Sequence, residues 1–247
     1  MRPVLGLVLF VFLGVGCVFV TKDAQPDAVP ADKDIVVFLT GNEFGWLKPC
    51  GCSGGQLGGL SRRSAVLEAA PRSHRLTIET GGLIPEISEQ TLIKFSIFLQ
   101  AFQILEYDLI NLTDQDLDVV QQLGLVEELK AQVGLTAHKA LPGLGLPDTY
   151  SRSFELSGRE IEICVRVVDR EDFAADSVEA LFSASDRQNG VRLLIVNGAH
   201  EAFAKSLAGR SMPVDCIVCP VDMEEPEVLS GPDSPCLVVS VGRKGRY

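Results

Sequence analysis

Residues 38 to 63 read Phe38-Leu-Thr-Gly-Asn-Glu-Phe-Gly-Trp-Leu-Lys-Pro-Cys-Gly-Cys-Ser-Gly-Gly-Gln-Leu-Gly-Gly-Leu-Ser-Arg-Arg63. The stretch begins as the end of an apolar strand, continues as a glycine-rich loop with two cysteines one residue apart, and ends in the start of a helix. Glycines crowd the segment between Cys50 and Leu60, and such a loop takes left-handed conformations or approaches another group closely. The only tryptophan, Trp46, lies there too. We therefore expect the function to reside in this stretch.

Apolar runs of strand length alternate with helical segments along the rest of the chain. Asp34-Ile-Val-Val-Phe-Leu39 is a continuous apolar run, as in a strand covered on both faces. Further strands are predicted at 74–79, 107–112, 134–136, 191–196, 214–218 and 236–241, and a hairpin at 150–156 and 160–168. Helices are predicted at 61–70, from Ser88 to about Leu105, at 117–123, 126–132, 177–185 and 201–208. This alternation predicts an α/β fold with a largely parallel core.

Several polar or glycine-rich turns directly follow predicted strands. They are 42–59, 79–82, 113–116, 197–200 and the position of Cys219. In parallel sheets, ligands bind beyond the carboxyl ends of the strands. We therefore expect these turns, which are distant in sequence, to meet at one edge of the fold.

Composition and the N-terminus give the class of the protein and its expected location. The net charge of −11 and the pI near 4.8 argue against nucleic acid or anionic lipid as a partner, because a polyanion would be repelled. Residues 1–20 are predicted to be a signal or lipoprotein segment, in which Leu13-Gly-Val-Gly-Cys17 is similar to a lipid-attachment site at Cys17. Residues 21–33 are predicted to be a polar tether and residues 34–247 the folded domain. We expect the domain to be anchored to a membrane in the cell envelope, facing the periplasm or the exterior.

The cysteines allow three interpretations. Without Cys17, six remain, in a compartment that tolerates disulfides. Cys50 and Cys52 flank Gly51, so they are predicted to be a redox-active dithiol, a pair of metal ligands or an inert clip. Cys216 and Cys219 are three apart at a strand end, where Cys216 would lie in the core and Cys219 at the edge. If the chain turns at this strand end, Cys50, Cys52, Cys216 and Cys219 together could hold zinc or an iron–sulfur cluster.

The order of the turns resembles the calcineurin-like metallophosphoesterases, in particular the catalytic domain of 5′-nucleotidases and UDP-sugar hydrolases. Thr40-Gly-Asn-Glu-Phe-Gly45 stands where that family has Thr-Asn-Asp-x-His-Gly, and Thr113-Asp-Gln-Asp116 where it has Gly-Asn-His-Glu. The C-terminal Gly242-Arg-Lys-Gly-Arg-Tyr247 also looks like a strand end of that group. The resemblance implies a two-sheet sandwich flanked by helices, with four layers in the order α/β/β/α.

The same alignment departs from the family at its metal ligands. The family holds two metal ions with Asp, His, Asp, Asn, His and His, which generate the attacking hydroxide. The aligned positions here hold Asn42, Phe44, Gly82, Asp114, Gln115, Asn197 and the turn Cys219-Pro220. A two-metal phosphoesterase is not expected from one carboxylate and several amides.

The Cys-Gly-Cys insertion resembles a subgroup of bacterial envelope proteins, some with selenocysteine at one position, which implies redox or soft-metal chemistry. We therefore predict thiol redox by Cys50 and Cys52 with a partner protein. The alternative is a non-catalytic protein that binds a ligand or a cysteine-held zinc or iron, and a residual metal-dependent phosphoesterase is third. Candidate ligand-binding residues are Asn42, Arg62, Arg63, Asp114, Asn197 and His200.

Overall fold

The fold is described by a computed structural model. It describes residues 8–11, 18–20, 34–48, 59–130, 134–137, 145–182 and 190–244, the first two segments as backbone only. The predictions on Cys17, Cys50 and Cys52 lie outside these residues. None of the helices in the described part of the chain has the length and apolar character that a membrane crossing requires.

In the described part of the chain, the first sheet has six strands in the order β2-β1-β3-β4-β5-β6. The strands are β1 (Val8–Val11), β2 (Val18–Val20), β3 (Ile35–Thr40), β4 (Arg75–Glu79), β5 (Leu109–Asn111) and β6 (Leu135–Thr136). The last four run parallel, and β1 pairs antiparallel with β3. The parallel pairing of β3 to β6 is the one that the alternation of strands and helices predicted.

The second sheet also has six strands among the described residues, in the order β11-β12-β10-β9-β8-β7. They are β7 (Thr149–Leu156), β8 (Arg159–Asp169), β9 (Gly190–Asn197), β10 (Cys216–Val218), β11 (Glu227–Val228) and β12 (Leu237–Ser240). The two outer strands, β7 and β11, are antiparallel to their neighbours, and the inner four are parallel. The hairpin of β7 and β8 was predicted. The parallel pairing of β8 with β9 on its other side was not predicted.

Helices cover the outer faces of both sheets. They are α1 (Leu60–Leu67), α2 (Glu89–Ile104), α3 (Asp114–Leu123), α4 (Val126–Lys130) and α5 (Glu201–Leu207). The sequence predicted a helix near 177–185, and the described part of that segment, which ends at residue 182, contains a 3₁₀ helix at Ala175–Leu181. Ser88 caps α2 as predicted, with its side chain accepting a hydrogen bond from the Thr91 N–H.

Three apolar clusters separate the four layers. Val36 and Phe38 of β3 point to the cluster under α1, α2 and α3, whereas Val37 and Leu39 point to the cluster between the sheets. This division follows from the two-residue period of a strand. The third cluster lies between the second sheet and α5 with the 3₁₀ helix. The architecture is the predicted α/β/β/α sandwich.

Candidate functional site

The main polar cavity lies at the carboxyl ends of the parallel strands, where the two sheets meet. Its volume is about 340 Å³. It is lined by Asn42, Phe44, Thr80, Gly81, Gly82, Thr113, Asp114, Gln115, Asp169, Arg170, Glu171, Asn197, Gly198 and Pro220. The turns after β3, β4, β5, β9 and β10 therefore meet at one edge, as the sequence predicted.

The turn after β3 forms the centre of this edge. Asn42 has a φ of 50° and Phe44 a φ of 45°, in the left-handed region that only a few per cent of non-glycine residues occupy. Backbone hydrogen bonds hold the turn against the next loop: Asn42 N–H to Gly81 O at 2.8 Å and Phe44 N–H to Gly82 O at 3.0 Å. Such backbone strain persists only where the surroundings enforce it, and it concentrates at functional sites.

Side-chain amides connect the two sheets at the cavity. Asn42 Nδ2 donates to the Val221 carbonyl at 2.9 Å. Asn111 Nδ2, at the end of β5, donates to Asn197 Oδ1, at the end of β9, at 2.7 Å. Both hydrogen bonds are buried, so they fix the distance between the sheets at this edge.

Comparisons with known proteins support the fold. No family model matches the sequence, and no curated protein matches it. Among solved structures, a 5′-nucleotidase precursor from Thermus thermophilus is similar over 85% of this chain, with a TM-score of 0.59 and 15% identity. The NAD nucleotidase of Haemophilus influenzae is similar over 84%, with a TM-score of 0.57 and 15% identity. The sulfate thiohydrolase of Thermus thermophilus is similar over 85%, with a TM-score of 0.56 and 10% identity.

The chain has the calcineurin-like metallophosphoesterase fold. It spans 49%, 44% and 52% of the lengths of these three proteins, about half in each case. The sequence resemblance to the 5′-nucleotidase type is therefore confirmed at the level of the fold.

The metallophosphoesterase fold places the aligned metal-ligand positions around the cavity. Seven of those positions line the cavity: Asn42, Phe44, Gly82, Asp114, Gln115, Asn197 and Pro220. Only Asp114 supplies a carboxylate, and Phe44, Gly82 and Pro220 have no side-chain donor atom. Asn42 and Asn197 already use amide atoms in the bonds between the sheets. Within the described ranges, no group of three or more His, Cys, Asp or Glu side chains could hold a metal ion.

The sequence analysis missed one part of the cavity wall. Asp169 ends β8, Arg170 and Glu171 follow it, and all three line the cavity from the second sheet. The prediction treated β8 only as half of a hairpin, so its carboxyl end was not considered. A signal was present, because Asp169-Arg-Glu-Asp172 is a polar turn directly after an apolar strand.

A buried charged cluster lies directly behind the cavity wall. Arg63 contacts Glu43, lies 3.5 Å from Glu79 Oε2, and donates a hydrogen bond to the Tyr107 hydroxyl at 2.9 Å. Thr40 Oγ1 donates to Glu79 Oε2 at 2.6 Å. Glu43 and Glu79 are both fully buried, and Arg63 is 1% exposed. Glu43 lies between two residues of the cavity wall, and Glu79 directly precedes that wall.

Two carboxyl groups share one guanidinium in this cluster, so ionising both would leave one buried negative charge uncompensated and would cost free energy. Burial raises the pKa of Glu79 well above 4.5, and the neighbouring Glu43 carboxyl raises it further. Burial also raises the pKa of Glu43, although Arg63 partly opposes that rise. Arg63 contacts Glu43 more closely than Glu79, so Glu79 is the carboxyl group whose ionised form the cluster stabilises less.

The expected anion-binding role of Arg63 does not fit this position. Its guanidinium is directed into the protein and is neutralised by Glu43, because α1 turns this side chain toward the first sheet. Arg62, its neighbour, is exposed, but it does not line the main cavity.

His200 also lies outside the cavity wall. It is the N-cap of α5, where its Nδ1 accepts a hydrogen bond from the Phe203 N–H at 3.2 Å. The structure therefore assigns the His200 side chain a local role in capping this helix. Asn42, Asp114 and Asn197 do line the cavity, and their binding role stays a prediction.

The four described cysteines are buried thiols: Cys164, Cys216, Cys219 and Cys236. Cys216 belongs to the cluster between the sheets, whereas Cys219 belongs to the outer cluster under α5. The two side chains therefore face opposite sides of the second sheet, which does not fit a shared Cys₄ site. Burial and the nearby Cys236 raise the pKa of Cys219 to about 12, and burial and Asp215 raise the pKa of Cys236 to about 11.

Proposed function

We propose that this protein is a cell-envelope protein that has lost the two-metal site of its fold and acts by thiol redox chemistry at Cys50 and Cys52. The observation that carries the proposal is the donor set of the main cavity. Two divalent ions need several carboxylate and imidazole ligands. The wall offers Asp114 at the aligned positions, with Asp169 and Glu171 beside them, and no histidine. Hydroxide generation by a metal pair is therefore not supported by these residues.

The ends of the cysteine-bearing segment support a role near this cavity. The Leu60 N–H donates to the Leu47 carbonyl at 3.2 Å, so the chain leaves and returns at the same place. Phe44, three residues before Leu47, lines the cavity. Cys50 and Cys52 follow Lys48 by two and four residues in the sequence.

The proposed reaction is thiol–disulfide exchange with a partner protein. The Cys50 and Cys52 thiols lose two protons and two electrons and form one disulfide, while the partner's disulfide takes them up and becomes a dithiol. The reverse direction reduces the pair. Lys48 provides a positive charge close in sequence, which favours the thiolate that begins the exchange.

The test is a thiol count on the protein purified without air, before and after mild oxidation. We expect two thiols to be lost reversibly and to map to Cys50 and Cys52. Cys219 and Cys236 serve as internal controls, since burial and their raised pKa values keep them protonated at pH 8. An exchange rate that survives Cys52→Ser would contradict the proposal.

The second candidate is non-catalytic ligand binding in the main cavity. The observation in its favour is the mixture of amide, carboxylate and guanidinium groups from Asn42, Asp114, Gln115 and Arg170 around one space. Its other form, zinc or iron held by cysteines, predicts stoichiometric metal in the anaerobically purified protein. A residual phosphoesterase, the third candidate, predicts hydrolysis of an aryl phosphate with added manganese.

Anchoring in the envelope is part of the same proposal, through lipid on Cys17. We expect a labelled fatty acid to be incorporated into the full chain and not into Cys17→Ser. Incorporation into both would place the lipid elsewhere.

A further inference from the structure

A second cavity lies beside the first and differs from it in chemical character. Its volume is about 510 Å³, within the range of small-molecule sites. It is lined by Phe44, Gly45, Trp46, Leu47, Lys48 and Lys94, and no carboxylate is among these residues. Phe44 is common to both cavities, because it is among the lining residues of each.

Positive charge converges on this cavity in a chain whose net charge is −11. The ion pairs of the described residues include neither Lys48 nor Lys94. A third ammonium group, Nζ of Lys244, lies 4.6 Å from the centre of the Trp46 ring and is engaged there. The two lysines of the wall can therefore attract an anion.

The apolar part of the wall is open to solvent and fixed in place. Trp46 is 40% exposed, which is high for a side chain of this size. Its backbone is held by a hydrogen bond from the Trp46 N–H to the Glu43 carbonyl at 2.9 Å, and the Gly45 N–H donates to the Leu83 carbonyl at 2.8 Å. A Cβ on Gly45 would lie 3.4 Å from Lys94 Cδ, so this glycine lets Lys94 run close beside the turn.

We propose that the second cavity binds an organic anion that joins a charged group to an apolar one. Lys48 and Lys94 hold the charged group, and Trp46, Phe44 and Leu47 pack against the apolar part. Lys48 is exposed and Lys94 half-buried, and lysines that solvent reaches select an anion only weakly on their own, since solvent screens their charge. Burial of the apolar part supplies most of the affinity, and the lysines decide which amphiphile is accepted. The proposal is independent of any redox step at the cysteines.

The site can be tested in the full chain with octanoate as the probe, because Trp46 is the only tryptophan and reports on its own surroundings. We expect octanoate to shift the Trp46 emission to the blue in a saturable way. Acetate, which has only the charge, and octanol, which has only the chain, should give clearly weaker responses at equal concentration.

Substitution of one lysine tests the role of charge. Lys94→Gln should weaken octanoate binding by about two- to fivefold, the size expected for the loss of one solvent-screened ion pair. Lys205→Gln is the matched control, because Lys205 is exposed on α5 and pairs with Glu201. The affinity of the Lys205→Gln variant for octanoate should equal that of the unmodified protein.

A soluble amphiphilic anion and an anionic phospholipid both join a negative charge to an apolar chain. An experiment with vesicles distinguishes these two ligands. A response that depends on Lys94 and requires vesicles of anionic phospholipid assigns the site to a lipid surface, and a response to octanoate alone assigns it to a soluble ligand. Equal responses to octanoate and octanol, or unchanged binding in Lys94→Gln, would overturn the proposal.

Discussion

At the scale of single residues, the buried carboxyl pair makes stability depend on pH. In the folded protein, Glu79 keeps its proton at pH values above 4.5. At the same pH values the Glu79 carboxyl group of the unfolded chain has lost its proton. The native state then holds one more proton, so the free energy of unfolding falls as pH rises, by up to about 1.4 kcal/mol per pH unit. The loss continues until the pH passes the folded pKa of Glu79.

Glu79→Gln should remove this dependence, because its amide does not titrate. We expect the stability of the unmodified protein relative to Glu79→Gln to fall steadily in urea unfolding from about pH 5 upward. Glu155→Gln, at an exposed glutamate of β7, is the control and should follow the unmodified protein. Curves for Glu79→Gln that stay parallel to the unmodified protein would show that Glu79 is ionised in the native state.

Arg63 and Arg62 are adjacent in sequence and opposite in environment. Arg63→Met leaves the Glu43 carboxylate buried without its cation, which should cost about 3–5 kcal/mol of unfolding free energy. Arg62→Met alters an exposed side chain and should change stability by less than about 0.5 kcal/mol. Denaturant unfolding of the two variants measures the difference, and equal effects would refute the buried pairing.

The sequence could not distinguish these two arginines. Both stand at the start of a helix, and their residue type is the same. The partners of Arg63 lie 20 and 16 residues away in sequence, at Glu43 and Glu79. Burial of the pair depends on how α1 packs on β3 and β4, which neither composition nor periodicity specifies.

At the scale of secondary-structure elements, the N-terminus of α3 is tied to the cavity wall. The Asp116 carboxylate accepts hydrogen bonds from the Gly82 and Leu83 N–H groups, both at 2.9 Å, and from the Thr113 N–H at 3.0 Å. It therefore completes a capping box and holds the loop after β4 at the same time.

Asp116→Ala should destabilise the protein by about 2–4 kcal/mol, because it removes the cap and leaves buried N–H groups without a partner. Ser88→Ala removes a cap from α2 that holds no second loop, and should cost about 1 kcal/mol. Thermal or urea unfolding compares them. A cost for Asp116→Ala no larger than that for Ser88→Ala would mean that the loop after β4 is held by other contacts.

The helices and strands with strong apolar periodicity were predicted close to their observed bounds. Features that depend on capping or on tertiary pairing were not. The apolar run of β3 and the capped helix α2 appear within a residue or two of their predicted bounds. The described part of the helix predicted near 177–185 has no capping side chain, and it forms the 3₁₀ helix Ala175–Leu181. The missed cavity wall at Asp169–Glu171 depends on the parallel pairing of β8 with β9, a tertiary feature.

At the scale of the whole molecule, polar bridges join the two sheets at both ends. Opposite the cavity, Arg152 of β7 contacts Asp108 and donates to the Arg72 carbonyl at 3.0 Å in the first half of the chain. At the cavity, the bridge is the amide pair of Asn111 and Asn197. Here hydrogen bonds make the connection.

Stability should therefore not depend on a divalent ion. An ion at a free concentration one hundred times its Kd would add about 2.7 kcal/mol, which corresponds to roughly 5–10 °C in Tm for a domain of this size. We expect the Tm of anaerobically purified protein to change by less than about 1 °C on addition of a chelator, or of manganese after chelation. A fall of several degrees that manganese reverses would favour a metal at the cavity wall. A fall that only zinc or iron reverses would favour ligation by the cysteines, and either result would replace the amide bridge as the main connection between the sheets at this edge.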